Sequence, residues 1–454
     1  MATNFLFLLA FLATLLCIIY FAWRGQSKAK NSDDFSLAGR KAGSWNVSGA
    51  ITGTLVGGAS TIGTAQLAFL YGFSAWWFTL GAGLACLFLG LFLAVPLRLS
   101  NVVTIPQFIS NYYGDRARVA ASLFSALGMF IQIVAQLLAC GAILAVLFDL
   151  SLLWSASISA ILVILFTLGG GMKSAGTIGL VKMSLIYLTM VTAGWLALDL
   201  AGGWRELSGG FPRFPWFSLF GYGVKEGISD LLSMLVGVIS TQTYLQAVFS
   251  ASDEHSARQG AFVSAVIIPP LGLLGILVGL FMRKTAPDLE SALALPTFIS
   301  QNFPTAFAGI AFATLLIAAV GTASGLALGV ATTLKVDVLK GWLTSHAKGL
   351  LYFRGLTTIV VLSAFVLLLF NLGSAIMDWS FLSMGLRGAT IFFPLLFAIF
   401  VKTQHLHRYG TLSIFIAPTC VVAAGLLQVD QLPPLYVGLS VSLAFLLVGV
   451  IRRD

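Results

Sequence analysis

Charged residues are what this sequence has least of. Asp, Glu, Lys and Arg together make up 9% of its 454 residues, whereas hydrophobic residues make up 58%. A soluble domain is about a quarter charged, so this chain cannot cover itself with an ordinary water-facing surface. The mean hydropathy of +0.98 agrees. The composition predicts an integral membrane protein surrounded by the lipid bilayer, and the net charge of +9 is assigned to membrane loops rather than to a nucleic-acid partner.

Residues that build catalytic or metal centres are also scarce. The four cysteines fall in apolar stretches, which favours buried thiols over disulfides or a metal site. The four histidines lie in predicted loops, and no acidic residue falls at mid-depth in a predicted span. An intramembrane enzyme needs converging acids, bases or metal ligands. The sequence therefore predicts neither an enzyme nor a prosthetic group.

Long apolar runs are what the sequence does contain. A spanning helix needs about 20 apolar residues, and this rule predicts about thirteen spans and an all-α fold. The first run carries its basic residues after the apolar stretch, so it is interpreted as a retained helix rather than a signal peptide. The predicted spans are 4–24, 46–70, 75–97, 118–148, 152–169, 178–200, 228–249, 258–283, 306–336, 350–371, 374–401, 411–428 and 432–451.

The loops between these spans differ in charge. With the N-terminus outside, eighteen basic residues fall in inner loops and five in outer loops, and the reverse orientation inverts the ratio. Cytoplasmic loops carry the excess of Lys and Arg. The sequence therefore predicts a multi-pass protein of the inner (plasma) membrane, with the N-terminus outside and the C-terminus in the cytoplasm.

Three spans are candidates for a broken helix. Transporter sites form where a spanning helix unwinds near mid-membrane and frees backbone carbonyls. Span 46–70 contains Gly57-Gly58 followed by Ser60-Thr61, and spans 228–249 and 306–336 are similarly rich in glycine and hydroxyl residues. Close packing of helices through small residues is the alternative interpretation of each.

Polar side chains inside the spans are the candidate site residues. Gln136 shares a helix face with Gln132, and Gln242 lies within span 228–249. A buried amide needs a partner, which is either a neighbouring helix or a substrate. Lys182 and Arg387 are intramembrane cations, which are functional candidates by default. Lys182 is near enough to the inner end to snorkel, whereas Arg387 lies mid-span and suggests a substrate carboxylate.

A set of short motifs resembles the solute:sodium symporter family. The motifs occur in the family's order and with similar spacing over nearly the whole chain. They are Asp34-Phe35-Ser36-Leu37-Ala38-Gly39-Arg40 with Trp45, Gly58-Ala59-Ser60-Thr61-Ile62-Gly63, Thr104-Ile105-Pro106-Gln107-Phe108, Gly170-Gly171-Met172-Lys173, and Ala318-Ala319-Val320-Gly321-Thr322-Ala323-Ser324.

The resemblance implies two inverted five-helix repeats, the fold of the amino-acid and sodium symporters. The repeats would span 46–201 and 228–401. They would be accompanied by an extra helix and loop in 1–45, an outer loop at 202–227, and two C-terminal helices in 402–454. Substrate would bind between the repeats at the broken first and sixth core helices, and access would alternate between the two sides.

The resemblance also implies a site. Sodium would lie between the first and eighth core helices, held by the carbonyls of Gly53, Val56 and Ala318 and the hydroxyl of Thr322. Substrate contacts would fall at Leu55, Gly57, Ser60 and Thr79, in addition to Gln136, Gln242 and Arg387 from the polar pattern.

This chain departs from the family pattern near the implied ion. A family hydroxyl corresponds to Gly321, and the acid and the glutamine of the family's "TDxxQ" motif correspond to Gly179 and Lys182. Two interpretations follow. Either the remaining oxygens still bind sodium, or Lys182 replaces the sodium and coupling passes to protons or is lost.

The resulting hypothesis is a cation-coupled symporter of a small organic solute. The family carries amino acids, vitamins, sugars and monocarboxylates, and Arg387 favours a carboxylate. Three alternatives stay open: a proton-coupled or uncoupled permease of the same fold, a membrane sensor that retained the fold, and a channel. Scattered polar groups beside broken helices fit an occluded site better than a continuous pore.

Overall fold

The computed structural model describes residues 4–26, 40–169, 175–338, 349–372, 374–401, 406–426 and 433–452. The motif residues 34–39 and 170–173, and the basic residues Lys28, Lys30, Lys340, Lys348, Lys402 and Arg453, lie outside this part of the chain. Within it the protein is almost wholly helical, and the only strand-like feature there is an isolated bridge between Ala42 and Ala251.

Nineteen helices are assigned in these ranges. They are α1 (Phe5–Gln26), α2 (Ser44–Leu55), α3 (Thr64–Tyr71), α4 (Trp77–Phe88), α5 (Ala94–Leu99), α6 (Ile105–Phe148), α7 (Leu152–Gly169), α8 (Ala175–Leu200), α9 (Trp204–Gly209), α10 (Arg213–Trp216), α11 (Val224–Ile239), α12 (Gln242–Phe249), α13 (Glu254–Thr285), α14 (Ala294–Asn302), α15 (Thr305–Thr333), α16 (Gly349–Leu369), α17 (Ile376–Phe400), α18 (His407–Leu426) and α19 (Pro434–Ile451).

The apolar helices confirm an all-α membrane fold. By length and composition, seven of the described helical segments could cross a membrane, or eight if α11 and α12 form one bent span. Shorter apolar helices cover Phe5–Ile18, Leu152–Thr167 and Arg354–Leu369. A helix lies over each of the thirteen predicted spans, but how many of them cross the bilayer stays a prediction.

Two of the three predicted helix breaks are confirmed. Helix α2 ends at Leu55, Val56 is extended with φ −85° and ψ 99°, and a π-helical turn over Ala59–Gly63 leads into α3. Helix α11 ends at Ile239, and α12 starts at Gln242 with an axis bent by 44°. Both breaks free backbone groups inside the bundle, where the lipid offers no hydrogen bonds.

The predicted break in span 306–336 is wrong. Helix α15 runs without interruption from Thr305 to Thr333. Two of its four glycines serve close packing: a Cβ added at Gly309 would lie 2.6 Å from the backbone oxygen of Phe7, and one at Gly329 would lie 3.2 Å from Met129 Sδ. A Cβ at Gly321 or Gly325 would meet nothing within 4 Å. Alanine, which is frequent in this helix, is also the best helix former. Small-residue packing therefore accounts for Gly309 and Gly329.

The predicted loop at 104–108 is instead the start of a helix. The hydroxyl of Thr104 accepts a hydrogen bond from the Gln107 amide at 3.1 Å and caps α6. The chain then kinks at Gly114, whose φ of 82° is in the left-handed region that favours glycine. The spanning part of α6 follows this kink.

Basic residues gather at one end of the bundle. Arg40 donates to Asn101 Oδ1 at 2.7 Å, Arg98 donates to the Ala251 carbonyl at 2.6 Å, and Arg118 pairs with Asp337 at 2.6 Å. These contacts join the ends of several helices. The short helices α9 and α10 cover the opposite end, where Trp77 Nε1 donates to the Leu219 carbonyl.

Candidate functional site

The break between α2 and α3 is stabilised by its own hydroxyls. The Gly57 amide donates to Ser60 Oγ at 3.0 Å, and the hydroxyls of Ser60 and Thr61 both lie 3.0 Å from the Gly57 carbonyl. In an unbroken helix the Gly57 amide would donate to the carbonyl of Gly53, four residues earlier. The Gly53 carbonyl is therefore left without its helical partner.

Gln136 of α6 contacts the same break, as its predicted place in the site requires. Its Oε1 accepts a hydrogen bond from the Gly58 amide at 2.8 Å. The neighbouring glycines make this approach possible, because a Cβ at Gly57 would lie 2.7 Å from Gln136 Oε1 and one at Gly58 would lie 2.2 Å from the Ala139 Cβ. Leu55, Gly57 and Ser60 are buried around this point.

Lys182 of α8 reaches the carbonyl that the break sets free. Its ammonium donates to the Gly53 carbonyl at 2.7 Å, the Ala318 carbonyl at 3.1 Å and Thr322 Oγ1 at 3.0 Å. An ammonium group has three N–H donors, and each of them is matched by one oxygen. The lysine thus joins α8 and the end of α2 to α15.

Burial shows that Lys182 does not snorkel. The side chain is 5% exposed, and its three contacts point into the bundle instead of toward the inner surface. The Gly53 carbonyl belongs to the last turn of α2, at the negative end of the helix dipole, which favours a cation there. The snorkelling interpretation is therefore wrong.

Two glycines let α8 approach α2 closely enough for this contact. A Cβ added at Gly179 would lie 1.9 Å from the Gly49 carbonyl oxygen, and one at Gly53 would lie 2.5 Å from the Gly179 Cα. No side chain fits at 179, where the family has an acid. From the sequence alone, position 179 has lost an acidic side chain. The structure shows that glycine is needed there for α8 to approach α2.

The residues do not fit a sodium ion beside Lys182. The ammonium already contacts three of the four predicted ligands, and the Val56 carbonyl is not among its partners. An ion on the same oxygens would lie about 3 Å from Nζ, and the repulsion would be about 5 kcal/mol at an effective dielectric constant near 20. Ammonium and sodium therefore exclude each other here.

Arg387 of α17 is fully buried and is satisfied by protein groups. Its Nε donates to the Ser383 carbonyl at 3.1 Å, one terminal nitrogen donates to Thr241 Oγ1 at 2.8 Å, and the other donates to Ser383 Oγ at 2.7 Å and lies 3.3 Å from Met384 Sδ. The guanidinium therefore lies at the second helix break. The predicted contact with a substrate carboxylate stays a prediction, although these nitrogens already have partners.

Two other predicted substrate residues have their hydrogen-bond partners in other parts of the bundle. The Gln242 side chain accepts from the Ile105 amide at 2.8 Å and donates to the Val103 carbonyl at 3.1 Å, at the start of α6. Gln136 lies further along that helix, 22 residues beyond the kink at Gly114. Thr79 Oγ1 lies 3.5 Å from the Pro269 carbonyl, between α4 and α13. The structure does not bring Gln242 to the residues around Gly57.

Sequence reasoning did not predict that Ser383 and Thr241 are partners of Arg387. Ser383 lies four residues before Arg387 on the same helix, a spacing that places the two side chains together. This signal was available in the sequence. The pairing with Thr241 depends on how two distant helices pack, and no local pattern reports it.

Comparison with known proteins agrees with this geometry. The sequence model of the sodium:solute symporter family matches residues 35–418. The human high-affinity choline transporter is 26% identical over 300 residues, which cover 63% of this chain and 51% of the transporter. The Drosophila melanogaster high-affinity choline transporter is 23% identical over 449 residues, which cover 93% of this chain and 71% of the transporter. The chain thus spans about half the length of the human relative.

A solved structure of a Na⁺-coupled sialic acid symporter, in a substrate-bound outward-open state, has the same fold. It aligns with a TM-score of 0.77 and 14% identity, over 99% of this chain and 97% of that one. The similarity supports the assignment of α2/α3 and α11/α12 as the two broken helices that each open a five-helix repeat. The predicted repeat boundaries stay a prediction.

The contact between α2 and α8 generates a test with a matched control. Gly179→Ala should lower the melting temperature because its Cβ overlaps the Gly49 carbonyl, with a cost of about 1–3 kcal/mol. Gly321→Ala lies in another helix and meets nothing within 4 Å, so it should be neutral or stabilising by about 0.4–1 kcal/mol. Thermal unfolding of the purified protein in detergent measures both, and equal effects would contradict the close approach.

Proposed function

Because the chain belongs to the sodium:solute symporter family, we propose that it is a secondary transporter that carries a small organic solute across the membrane by symport with a cation. Access alternates between the two sides as one group of helices moves against the other. The names of the relatives support transport of a small solute. We place that solute at the first broken helix, near Leu55, Gly57, Ser60 and Gln136.

One observation carries a more specific proposal. The Lys182 ammonium contacts Gly53, Ala318 and Thr322, three of the groups that the family resemblance assigns to sodium. We propose that Lys182 takes the place of the ion at this position. The coupling cation of the transport cycle is then either a sodium ion bound elsewhere or a proton.

Uptake into proteoliposomes tests the transport function. The probes are radiolabelled choline, pyruvate, proline and glucose, which represent a cation, an anion, a zwitterion and a neutral solute. We expect at least one to accumulate when a sodium or pH gradient is imposed. The control is Gly58→Leu, whose Cβ would lie 2.2 Å from the Ala139 Cβ and should block the site. Absence of uptake above this control for all four probes would instead favour a sensor.

Radiolabelled sodium binding tests the role of Lys182. We expect Thr322→Ala to leave sodium binding by the protein unchanged, because sodium does not use this hydroxyl. Lys182→Gln with Gly321→Ser restores two family residues, and a Cβ added at Gly321 meets nothing within 4 Å. This double variant should gain saturable sodium binding, and the further change Thr322→Ala should weaken that binding at least about tenfold.

The opposite pattern would disprove the replacement. If Thr322→Ala weakens sodium binding when Lys182 is present, the ion and the ammonium share the position. The single variant Gly321→Ser, which retains Lys182, separates the added hydroxyl from the removed charge. It should bind no more sodium than the unaltered protein.

We also propose the plasma-membrane orientation that the basic loops indicate, with the N-terminus outside. Lys225 and His255 are both exposed and lie on opposite sides in this orientation. In a cysteine-free background, a membrane-impermeant maleimide should label Lys225→Cys in intact cells. It should label His255→Cys only after the membrane is opened. The reverse labelling pattern would contradict the orientation.

A further inference from the structure

Inverted repeats give every position in the first repeat a counterpart in the second. The predicted boundaries place the first repeat from α2/α3 to α8 and the second from α11/α12 to α17. Helix α2 therefore corresponds to α11, the third core helix α6 corresponds to the eighth, α15, and α8 corresponds to α17. A contact among α2, α8 and α15 thus has its counterpart among α11, α17 and α6.

The two buried cations obey this correspondence. Lys182 lies on α8 and binds the broken end of α2 and helix α15. Arg387 lies on α17 and binds the Thr241 hydroxyl at the broken end of α11. Its side chain also packs on α6, because a Cβ at Gly128 would lie 2.5 Å from Arg387 Cγ, and Ser383 Oγ donates to the Gly128 carbonyl at 2.6 Å.

Both cations also lie at the same kind of helix end. Thr241 Oγ1 donates to the Gly237 carbonyl at 2.6 Å, so the contact with Arg387 continues into the last turn of α11. That turn is the negative end of the helix dipole, as is the last turn of α2 beside Lys182. Each half-helix therefore ends against a positive charge supplied by the last helix of its own repeat.

We infer that Arg387 fills a second cation position, the repeat-related counterpart of the position filled by Lys182, and holds the second broken helix to α6 and α17. This inference rests on the proposed function, because it needs the inverted-repeat site. In the absence of the arginine side chain, the oxygens at this position would bind a free cation. Arg387 is thus a positioning residue for the sixth core helix.

The surroundings of Arg387 favour this role over binding a substrate carboxylate. The side chain is 0% exposed, and its Nε and both terminal nitrogens donate to protein oxygens. A substrate anion would have to displace Thr241 or Ser383. Truncation of Arg387 to alanine, in contrast, should leave a pocket that has the size of a guanidinium ion and is lined by the oxygens that bound the guanidinium group.

Chemical rescue tests the inference. Arg387→Ala should have a lower melting temperature than the unaltered protein, and 10–20 mM guanidinium chloride, about a hundredfold below denaturing concentrations, should raise it by about 2 °C or more. Urea at the same concentration is the neutral isostere and should not raise it. Guanidinium should also restore uptake by Arg387→Ala of whichever probe the unaltered protein transports.

Arg283→Ala is the matched control. Arg283 packs over the rings of Phe69 and Trp216 near the surface, so its truncation leaves no closed pocket for a free cation. Guanidinium should raise the melting temperature of neither this variant nor the unaltered protein. If Arg387→Ala also shows no rise, or if urea and guanidinium act alike, the inference is wrong.

A second pair of variants covers the case in which Arg387→Ala fails to fold. Thr241→Ser retains the hydroxyl that accepts from Arg387 and should keep the melting temperature and the uptake. Thr241→Val removes the hydroxyl and should lower both. Equal behaviour of the two variants would overturn the inference. These thermal measurements need no transport activity, so failure of the inference and failure of the proposed function can be distinguished.

Discussion

The structure depends on what happens to the carbonyl of Gly53 when the first core helix stops. An unwound segment inside a membrane cannot rely on water, so every backbone group that it frees needs a partner from the protein. The Gly57 amide donates to Ser60, the Gly58 amide donates to Gln136, and the Gly53 carbonyl accepts a hydrogen bond from the ammonium of Lys182. The break is therefore a small network in which three helices supply the missing donors and acceptors.

The glycines around this network have two separate uses. Gly57 and Gly58 leave room for Gln136 and Ala139, whereas Gly53 and Gly179 bring the backbones of α2 and α8 together. Glycine lowers helix stability in isolation. In this bundle that cost is offset by contacts which no larger residue permits, and the ammonium group reaches its oxygens only because the two backbones touch.

Much of the fold could be predicted from the sequence, since apolar runs and clusters of glycine with hydroxyl residues are local patterns. The same patterns misled at α15, where alanines and glycines between Thr305 and Thr333 lie in an unbroken helix. Position along a helix predicted a buried Arg387, which the structure shows, but for Lys182 it left snorkelling open, whereas the side chain is buried. The partners of both cations are set by the packing of distant helices, and for this reason Thr241 and the role of Gly179 were not found.

The attachment of Lys182 to the chain has a consequence for energetics. A free ion fills its site to an extent that depends on its concentration in the surrounding solution, so it reports the gradient across the membrane. A tethered ammonium is present at an effective concentration set by its own side chain, whatever the salt outside. With Lys182 in place of the ion, as proposed, the protein gains a contact that joins three helices regardless of ionic conditions, and it loses a site at which the sodium gradient could drive transport.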